Sequence, residues 1–504
     1  MKKLATILAA LLVAVPTVML FASCKNNTSN EQPNTPNGGG SSSEVTYDEV
    51  SGEKLINGET RAQRLEHDFS PNIPETDVGN FEGQTFSMLI GSTGQVMYAE
   101  EENSQPVNDA VFRRNKLIED HFGITLNIVK TGAAATGSGQ SEATKQFRSL
   151  IETVDSTYHA FMHVQHSGMP QMILEQYFVD WNTIPYINFE DNWWYGNIRN
   201  DLCFGDKVYV MTGDYALYID RIDCLVFNKS IFDELGLDYP YQDVLDGTWT
   251  WDKFEELVAQ GSADLNGDGI SSITDDRYGL VGWVYELAPA LLVSTGYAPL
   301  EKDADNMPIL NQETAVAHEK YQRVVDLFTD GKMSWAGNSG NQSVAKYGDV
   351  FREGRSMFVD LFLGSVTGLT EVEFDFGILP YPKWDEDAPY YNRSSNMTAL
   401  TYIPVTNTEL ALTGAVLEEL AFQSAKDLTP LYFDNVLTVK STRDVESEEM
   451  LPIIKDNARF LYDGYMPSII GYVENKSNSY TESYQSSLDK YKADLETMRE
   501  LLNS

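Results

Sequence analysis

The chain has 504 residues, and its 36 Lys or Arg against 75 Asp or Glu give a formal net charge of −39 at pH 7. This balance argues against a nucleic-acid partner, because phosphates require a basic face, and against docking onto anionic lipid headgroups. Hydrophobic residues make up 42% of the chain and aromatic residues 12%, so the folded part can bury a large core. Its length predicts two or three domain-sized lobes.

Residues 1–23 have the order of a secretory signal peptide. Lys2 and Lys3 precede an apolar stretch over residues 4–20, and small residues lead directly to Cys24. A cysteine in this position resembles the lipobox of bacterial lipoproteins, in which the thiol is acylated and becomes the new N-terminus. The alternative is a membrane helix, but Pro16 interrupts the apolar stretch, which is short for a bilayer span. We therefore expect a lipid on Cys24.

Residues 24–46, which begin with the lipidated cysteine, are predicted to form a flexible tether. No large apolar side chain lies between Lys25 and Ser43, so this segment cannot bury enough surface to offset its ordering entropy. The rest of the sequence holds no further apolar run long enough to span a bilayer. We expect an extracytoplasmic protein that the lipid anchors to the cell membrane.

The remaining chain alternates between short apolar strands and amphipathic helices, which is typical of an α/β fold. A strand is predicted over residues 85–90, a helix over 107–122 and a second strand over 124–129, with Gly123 ending the helix. Further strands are predicted at 158–164, 208–212, 356–360, 376–379 and 399–403, and further helices at 228–237, 250–258 and 314–328, with a mostly helical chain from residue 410.

Residues 264–275 have the spacing of an EF-hand calcium loop. Oxygen ligands come from Asp264, Asn266 and Asp268, Gly269 follows at the turn position, and Asp275 closes the loop. Ile270 would supply its backbone carbonyl oxygen. The alternative is a solvated Asp/Gly turn. We predict one bound Ca²⁺ that acts as a structural clip.

Two thiols remain after Cys24, and their state is open. Cys203 and Cys224 can pair in an oxidising compartment or stay as buried free thiols. No Cys and His spacing typical of a metal site is present, and no nucleophile elbow, zinc-protease motif or phosphate-cradling glycine loop stands out. We therefore predict that the protein is not an enzyme.

Several blocks, taken in order over most of the chain, carry a family resemblance. They are residues 109–124 (DAVFRRNKLIEDHFGI), 191–194 (DNWW), 207–214 (KVYVMTGD), 225–236 (LVFNKSIFDELG), 247–254 (GTWTWDKF), 276–279 (DRYG), 354–358 (GRSMF) and 376–382 (FGILPYP). Together they resemble the bacterial extracellular solute-binding protein family 1, the sugar-binding lipoprotein subunits of ABC importers.

The resemblance implies an α/β, two-lobed, periplasmic-binding-protein-like fold (type II), in which a hinge joins the lobes around a ligand cleft. The chain of such proteins crosses between the lobes three times, and by position we place the crossings near 217–222, 375–378 and 429–438. Lobe one would then comprise residues 47–217 and 377–432. Lobe two would comprise residues 221–374 and 438–504.

The resemblance also implies the function. The chain would be a monomeric receptor that binds a carbohydrate and delivers it to the permease subunits of an ABC importer in the membrane. The expected carbohydrate is an oligosaccharide. Two other classes stay open as alternatives, a surface adhesin that retains polysaccharide and a glycan-active enzyme.

Sugar sites combine carboxylates and amides, which bond to hydroxyls, with aromatic rings that stack on the apolar face of the sugar. In a two-lobed fold these groups come from loops at strand ends. This reasoning predicts a set of ligand contacts: Ser92, Thr93, Asp214, Tyr215, Trp283, Trp335, Asp360, Phe362, Arg393 and Asn396. Each of the tryptophans can equally be a core residue, and Asp214 can simply cap a turn.

Overall fold

The computed structural model describes residues 55–91, 97–131, 142–165, 168–270, 272–311, 315–329, 334–337, 344–369, 371–437, 445–462, 469 and 480–503. All of them belong to one compact unit. The predicted signal peptide, Cys24 and the tether lie outside these residues.

The strands of the described residues follow in chain order. They are β1 (Thr85–Ile90), β2 (Thr125–Lys130), β3 (Ala160–Val164), β4 (Asp223–Asn228), β5 (Tyr278–Trp283), β6 (Leu300–Lys302), β7 (Pro308–Leu310), β8 (Ser334–Gly337), β9 (Ser356–Phe362), β10 (Phe376–Leu379), β11 (Asn392–Arg393), β12 (Ala399–Tyr402) and β13 (Ala458–Arg459).

The helices of the same residues surround these strands. They are α1 (Arg61–Leu65), α2 (Glu75–Val78), α3 (Pro106–Phe122), α4 (Glu142–Glu152), α5 (Met169–Leu174), α6 (Gly196–Leu202), α7 (Lys229–Leu235), α8 (Tyr241–Asp246), α9 (Trp251–Gly261), α10 (Val284–Ser294), α11 (Ala315–Thr329), α12 (Val344–Arg352), α13 (Leu410–Gln423), α14 (Thr429–Leu437), α15 (Val445–Asp456) and α16 (Tyr480–Leu502).

The strands form two main sheets. The first has the order β12-β3-β1-β2, in which β1, β2 and β3 are parallel and β12 is antiparallel to β3. The second has the order β10-β4-β9-β5-β8, in which β5 is parallel to β8 and β9 while β4 is antiparallel to β9 and β10. Helices cover both sheets, and the side chains of the strands form much of the buried core. We call the first sheet with its helices lobe one and the second sheet with its helices lobe two.

Local sequence explains why these elements form where they do. Helix α3 begins with Pro106 in its first turn and buries Ala110, Val111 and Ile118. It ends at Gly123, whose φ of 67° lies in the left-handed region that glycine adopts without strain. One predicted strand differs from the structure: only Met211 of residues 208–212 pairs with another strand residue, Thr401.

The crossings between the lobes can be read from the strand pairing. Met211 bridges to Thr401 of lobe one and β4 begins at Asp223, so the chain first crosses within residues 212–222, an interval that contains the predicted crossing at 217–222. The predicted second crossing at 375–378, with residues from Gly377 in lobe one, is corrected. Strand β10 pairs antiparallel with β4, so residues 376–379 belong to lobe two and the chain crosses after Leu379.

Helix α14 covers residues 429–437 of the predicted third crossing at 429–438. It contacts α3 of lobe one and the 3-10 segment Leu363–Leu369, which follows β9 of lobe two. Two-residue strands add a further link, because β11 lies in the second crossing segment and pairs in parallel with β13 near the C-terminal end.

Candidate functional site

Partly exposed aromatic residues stand at the carboxyl edge of the lobe-two sheet. Trp283 ends β5 and Phe362 ends β9, and both side chains are half-buried. Because β5 and β9 are parallel neighbours, their carboxyl ends meet at one edge of the sheet. Tyr285 follows in the first turn of α10 and is 37% exposed, with its ring 5.5 Å from that of Trp283. This edge therefore offers aromatic faces that a ligand can stack on.

Charged side chains from the first crossing lie beside this edge. The Arg221 guanidinium lies over the Phe362 ring at 5.4 Å and pairs with Asp220 at 3.3 Å. Asp220 also accepts a hydrogen bond of 2.8 Å from the hydroxyl of Tyr432 in α14. The backbone N–H of Ser395 in the second crossing donates to the Arg221 carbonyl at 2.9 Å. The three crossing segments thus meet at Asp220 and Arg221, and we call Trp283, Tyr285, Phe362, Asp220 and Arg221 the aromatic edge site.

Sequence reasoning found Trp283 and Phe362 in this set because each follows an apolar strand. It missed Tyr285, Asp220 and Arg221. A signal for the charged pair was present, since both residues lie within a predicted crossing, where the hinge of a two-lobed protein borders its cleft.

Asp360 and Arg393, two predicted ligand contacts, are buried inside lobe two. Arg393 Nη1 donates to Asp223 at 3.2 Å and to Glu286 at 2.5 Å, and Asp360 accepts a 2.6 Å hydrogen bond from the Tyr381 hydroxyl. Both residues are at most 3% exposed. Arg393 is thereby linked to Glu286 in the first turn of α10, and both predicted contacts have almost no surface to offer a ligand in this structure.

Burial governs the titration of this network. The pKa of Asp360 is raised to about 7, because loss of hydration and the neighbouring Glu286 outweigh the lowering effects of the Tyr381 hydrogen bond and of Arg393. Burial likewise raises the pKa of Asp223 well above its usual range, against the opposing effect of Arg393. One cation facing three carboxyl groups in a buried site favours retention of a proton by one of them.

The other predicted contacts are placed as follows. Tyr215 is fully buried in lobe one, and its hydroxyl donates to Thr401 at 2.8 Å. Asp214 is 2% exposed in a short 3-10 turn within the first crossing interval. Asn396 is half-buried in the second crossing. Trp335 lies in β8, with its side chain outside the description, and Ser92 and Thr93 lie outside the described residues.

The predicted calcium loop is an exposed turn in lobe two. Asp264 accepts hydrogen bonds from the N–H groups of Gly267 at 2.6 Å and Gly269 at 2.8 Å, which lower the pKa of its carboxyl. Asp268 accepts one from Ile270 N–H at 2.7 Å, and Asp275 accepts one from the Thr274 hydroxyl at 2.9 Å.

Among the described residues, no three carboxylate, imidazole or thiol side chains are grouped closely enough to hold a metal ion. Calcium binding by Asp264, Asn266, Asp268, Ile270 and Asp275 stays a prediction. Sequence reasoning also missed Asp276, which is buried and accepts the N–H groups of Leu265 at 3.0 Å and Ser272 at 2.8 Å. This residue fixes the two ends of the loop to each other.

The structure holds Cys203 and Cys224 as buried free thiols. Burial raises the pKa of Cys203 to about 12 and that of Cys224 well above its usual range. Burial therefore disfavours the thiolate, which is the reactive form, at both positions.

Comparison with known proteins identifies the fold. No protein-family model and no curated protein sequence matches this chain. UspC of M. tuberculosis is a structural match with a TM-score of 0.55 and 12% identity over 81% of this chain and 100% of that chain. A cyclo/maltodextrin-binding protein complexed with maltotetraose matches with a TM-score of 0.54 and 12% identity over 83% of this chain and 99% of that chain.

The GacH receptor of Streptomyces glaucescens matches with a TM-score of 0.52 and 13% identity, over 82% of this chain and 98% of that chain. These likenesses confirm the predicted fold, which is α/β with two periplasmic-binding-protein-like lobes. Within the described part of the chain, no helix has the length and apolarity needed to cross a membrane.

Proposed function

We propose that this chain is a substrate-binding protein that captures a carbohydrate, most specifically an oligosaccharide, for an ABC importer. The observation that carries the proposal is the aromatic edge site, where Phe362 lies beside Arg221 and Asp220 at the meeting point of the three crossings, and Trp283 and Tyr285 lie at the end of the neighbouring strand. Rings stack on the apolar face of a sugar while the charged groups bond to its hydroxyls. Two proteins of like fold support this ligand class, since one was solved with maltotetraose and the other with acarbose.

The position of the site explains how binding would be coupled to transport. Residues at the crossings change their environment when the lobes rotate about them, and a ligand favours the closed state by its differential contacts with the two lobes. The closed form is the one we propose the permease recognises.

The proposal is tested by thermal unfolding of the full chain with a panel of neutral mono- and oligosaccharides. A ligand present at 100 times its dissociation constant adds about 2.7 kcal/mol to the free energy of unfolding, so we expect a higher melting temperature with one class of oligosaccharide, recovered intact. Hydrolysis of that sugar would support the glycan-active enzyme instead. Stabilisation by polysaccharide alone would support the adhesin.

We propose that the protein is held outside the cytoplasm at the cell membrane by a lipid on Cys24. The support is the order of charge, apolar stretch and small residues before this cysteine. A Cys24→Ser variant should lose incorporation of radiolabelled palmitate and leave the membrane fraction. Retention of the label in this variant would contradict the proposal.

We propose that residues 264–275 bind one structural Ca²⁺. The support is the ligand spacing together with the N–H groups of Gly267 and Gly269, which already orient the Asp264 carboxylate. Calcium should raise the melting temperature, a chelator should reverse the effect, and Asp264→Ala should abolish it. Equal melting temperatures in calcium and chelator would leave the solvated turn as the correct interpretation.

A further inference from the structure

A second cavity lies apart from the aromatic edge site. It has a volume of about 960 Å³ and is lined by residues between Asp180 and Val208 of lobe one and by Lys302 and Asn306 of lobe two. None of its lining residues belongs to the aromatic edge site. The volume is within the range that holds a ligand of disaccharide size or larger.

Short contacts hold the two walls of this cavity together. Gly205 N–H donates to the Asn306 carbonyl at 2.7 Å, and Asn306 Nδ2 donates to the Gly205 carbonyl at 2.5 Å. Asn306 sits at the turn between β6 and β7 with a φ of 59°, a left-handed conformation that Asn tolerates better than most residues. Lys302 Nζ also reaches across to the Arg199 carbonyl at 3.4 Å. These hydrogen bonds between the two walls fix the shape of the cavity.

The cations of the lining are only loosely paired, although the chain as a whole is strongly acidic. Lys207 Nζ lies 4.0 Å from Asp180 and Arg199 Nη1 lies 3.8 Å from Glu190. Within the described part of the chain, no carboxylate oxygen lies within 4 Å of Lys302 Nζ, which instead lies over the Phe204 ring at 5.5 Å. Ion pairs at these distances leave much of the positive charge available to a ligand.

The Asp180 carboxylate accepts several hydrogen bonds from the cavity wall. Its Oδ1 accepts the N–H groups of Asn182 and Val208, both at 3.1 Å, and the Asn182 side-chain amide at 2.9 Å. This carboxylate therefore fixes the cavity wall and also faces Lys207 at 4.0 Å. The exposed carboxylates of Glu190 and Asp206 and the amide of Asn200 also line the cavity, with groups that accept or donate hydrogen bonds.

We propose that this cavity is a second binding site, outside the aromatic edge site, for an acidic saccharide whose anionic group pairs with Arg199, Lys207 and Lys302. The hydroxyls of such a ligand match Asp206, Asn200 and Asn306, a combination that a bare inorganic anion cannot use. The anionic group is a carboxylate or a sulfate ester, since both accept hydrogen bonds from Arg and Lys in the same way. This inference goes beyond the proposed function, because it assigns a ligand to residues that function does not require.

The test is calorimetric titration of the full chain with glucuronate, glucose 6-sulfate, glucose and sodium sulfate. We expect the two anionic sugars to bind at least tenfold more tightly than glucose, and their affinity to fall as NaCl rises from 50 to 300 mM, because salt screens exposed ion pairs. The stronger of the two identifies the anionic group. Equal affinity for glucose and both anionic sugars would overturn the proposal, and so would equal affinity for sodium sulfate.

Variants locate the binding. The double variant Lys207→Gln, Lys302→Gln should weaken the binding of the anionic sugar at least tenfold, and Lys302→Arg, which keeps the charge, should retain it. Lys116→Gln is the control, since Lys116 is 58% exposed on α3 and lies outside the cavity. Loss of acidic-sugar binding in Trp283→Ala with full binding in the double variant would overturn the second site and leave the proposed function standing. Loss of neutral-oligosaccharide binding in Trp283→Ala concerns the proposed function alone.

Discussion

Asp360 and Tyr381 form a buried hydrogen bond in a network that holds more acid than base. Asp223, Glu286 and Asp360 face a single guanidinium, that of Arg393. Ionising all three carboxyl groups in this buried site would cost more free energy in lost hydration than attraction to one cation recovers. The raised pKa of Asp360 is the physical result, and it makes stability depend on pH.

The variant Asp360→Asn tests this dependence. Above the ordinary pKa of 3.8 the unfolded chain loses the Asp360 proton, while the folded chain keeps it up to about pH 7. The wild type should therefore lose up to about 4 kcal/mol of unfolding free energy relative to the variant between pH 4 and pH 7, and no more above that. Asn offers an oxygen that still accepts the hydrogen bond of Tyr381. Urea denaturation at each pH measures the difference, and parallel stability curves would refute the assignment.

Tyr285 is the most exposed ring of the aromatic edge site, so its contribution to binding can be tested with little change in the core. Tyr285→Ala should weaken the oligosaccharide at least tenfold, or about 1.4 kcal/mol, in a calorimetric titration. Tyr98→Ala is the matched control, because Tyr98 is 40% exposed and Tyr285 is 37% exposed. Equal affinities of the two variants would remove Tyr285 from the site.

At the scale of elements, the first described segment of the chain is fastened to lobe one by buried polar contacts. Arg64 in α1 donates to Asp191 at 2.7 and 2.9 Å, and Asn72 donates to Asp191 and Glu418, both at 2.7 Å. Glu418 in α13 also accepts hydrogen bonds from two indole N–H groups, that of Trp193 at 2.9 Å and that of Trp194 at 2.6 Å. Segments far apart in sequence thus share one hydrogen-bonded network.

Removing one partner of the Arg64–Asp191 pair should be costly. Both side chains are 1% exposed, so Arg64→Ala leaves a carboxylate buried without its cation, and we expect a loss of about 3–5 kcal/mol in unfolding free energy. The control is Arg113→Ala, which removes a pair with Glu102 whose side chains are 64% and 48% exposed and should change stability by less than about 1 kcal/mol. A similar small change in both variants, measured by urea denaturation, would contradict this account.

The elements that sequence predicted well are those with a local cause. Helix α3 follows from apolar spacing and a terminal glycine, and β1 from its apolar run. Strand β10 was predicted as a strand but assigned to the wrong lobe, because its partner, β4, lies about 150 residues earlier. Residues 208–212 have the alternating pattern of a strand, but only Met211 among them pairs with a strand residue.

The same distinction applies to the site. Trp283 and Phe362 could be predicted because a strand end is visible in the sequence. The burial of Arg393 could not be predicted from the sequence. The carboxylates that it pairs with, Asp223 and Glu286, lie far from it along the chain. Tyr285 was missed because nothing local marks its position at the start of α10 as lying beside Trp283.

At the scale of the whole molecule, the two lobes are joined by the three crossings and the site lies where these meet. If the proposed ligand closes the lobes, small-angle X-ray scattering should show a smaller radius of gyration with the oligosaccharide than without it. Tyr285→Ala at the same sugar concentration should show a smaller change. An unchanged radius with saturating sugar would mean that binding occurs without closure.

The network around Arg64 has a mechanical consequence for any attachment at the N-terminal end. A pulling force applied ahead of Ile56 reaches α1 before it reaches any of the described strands, and Arg64 and Asn72 pass it to Asp191 and Glu418. All four residues belong to lobe one, so the load enters the molecule through lobe one, and Trp193, whose carbonyl accepts the Asp214 N–H at 2.9 Å, joins the same network to the first crossing. If the ligand closes the lobes as proposed, an attachment at this end would hold lobe one, and lobe two would be the part that moves.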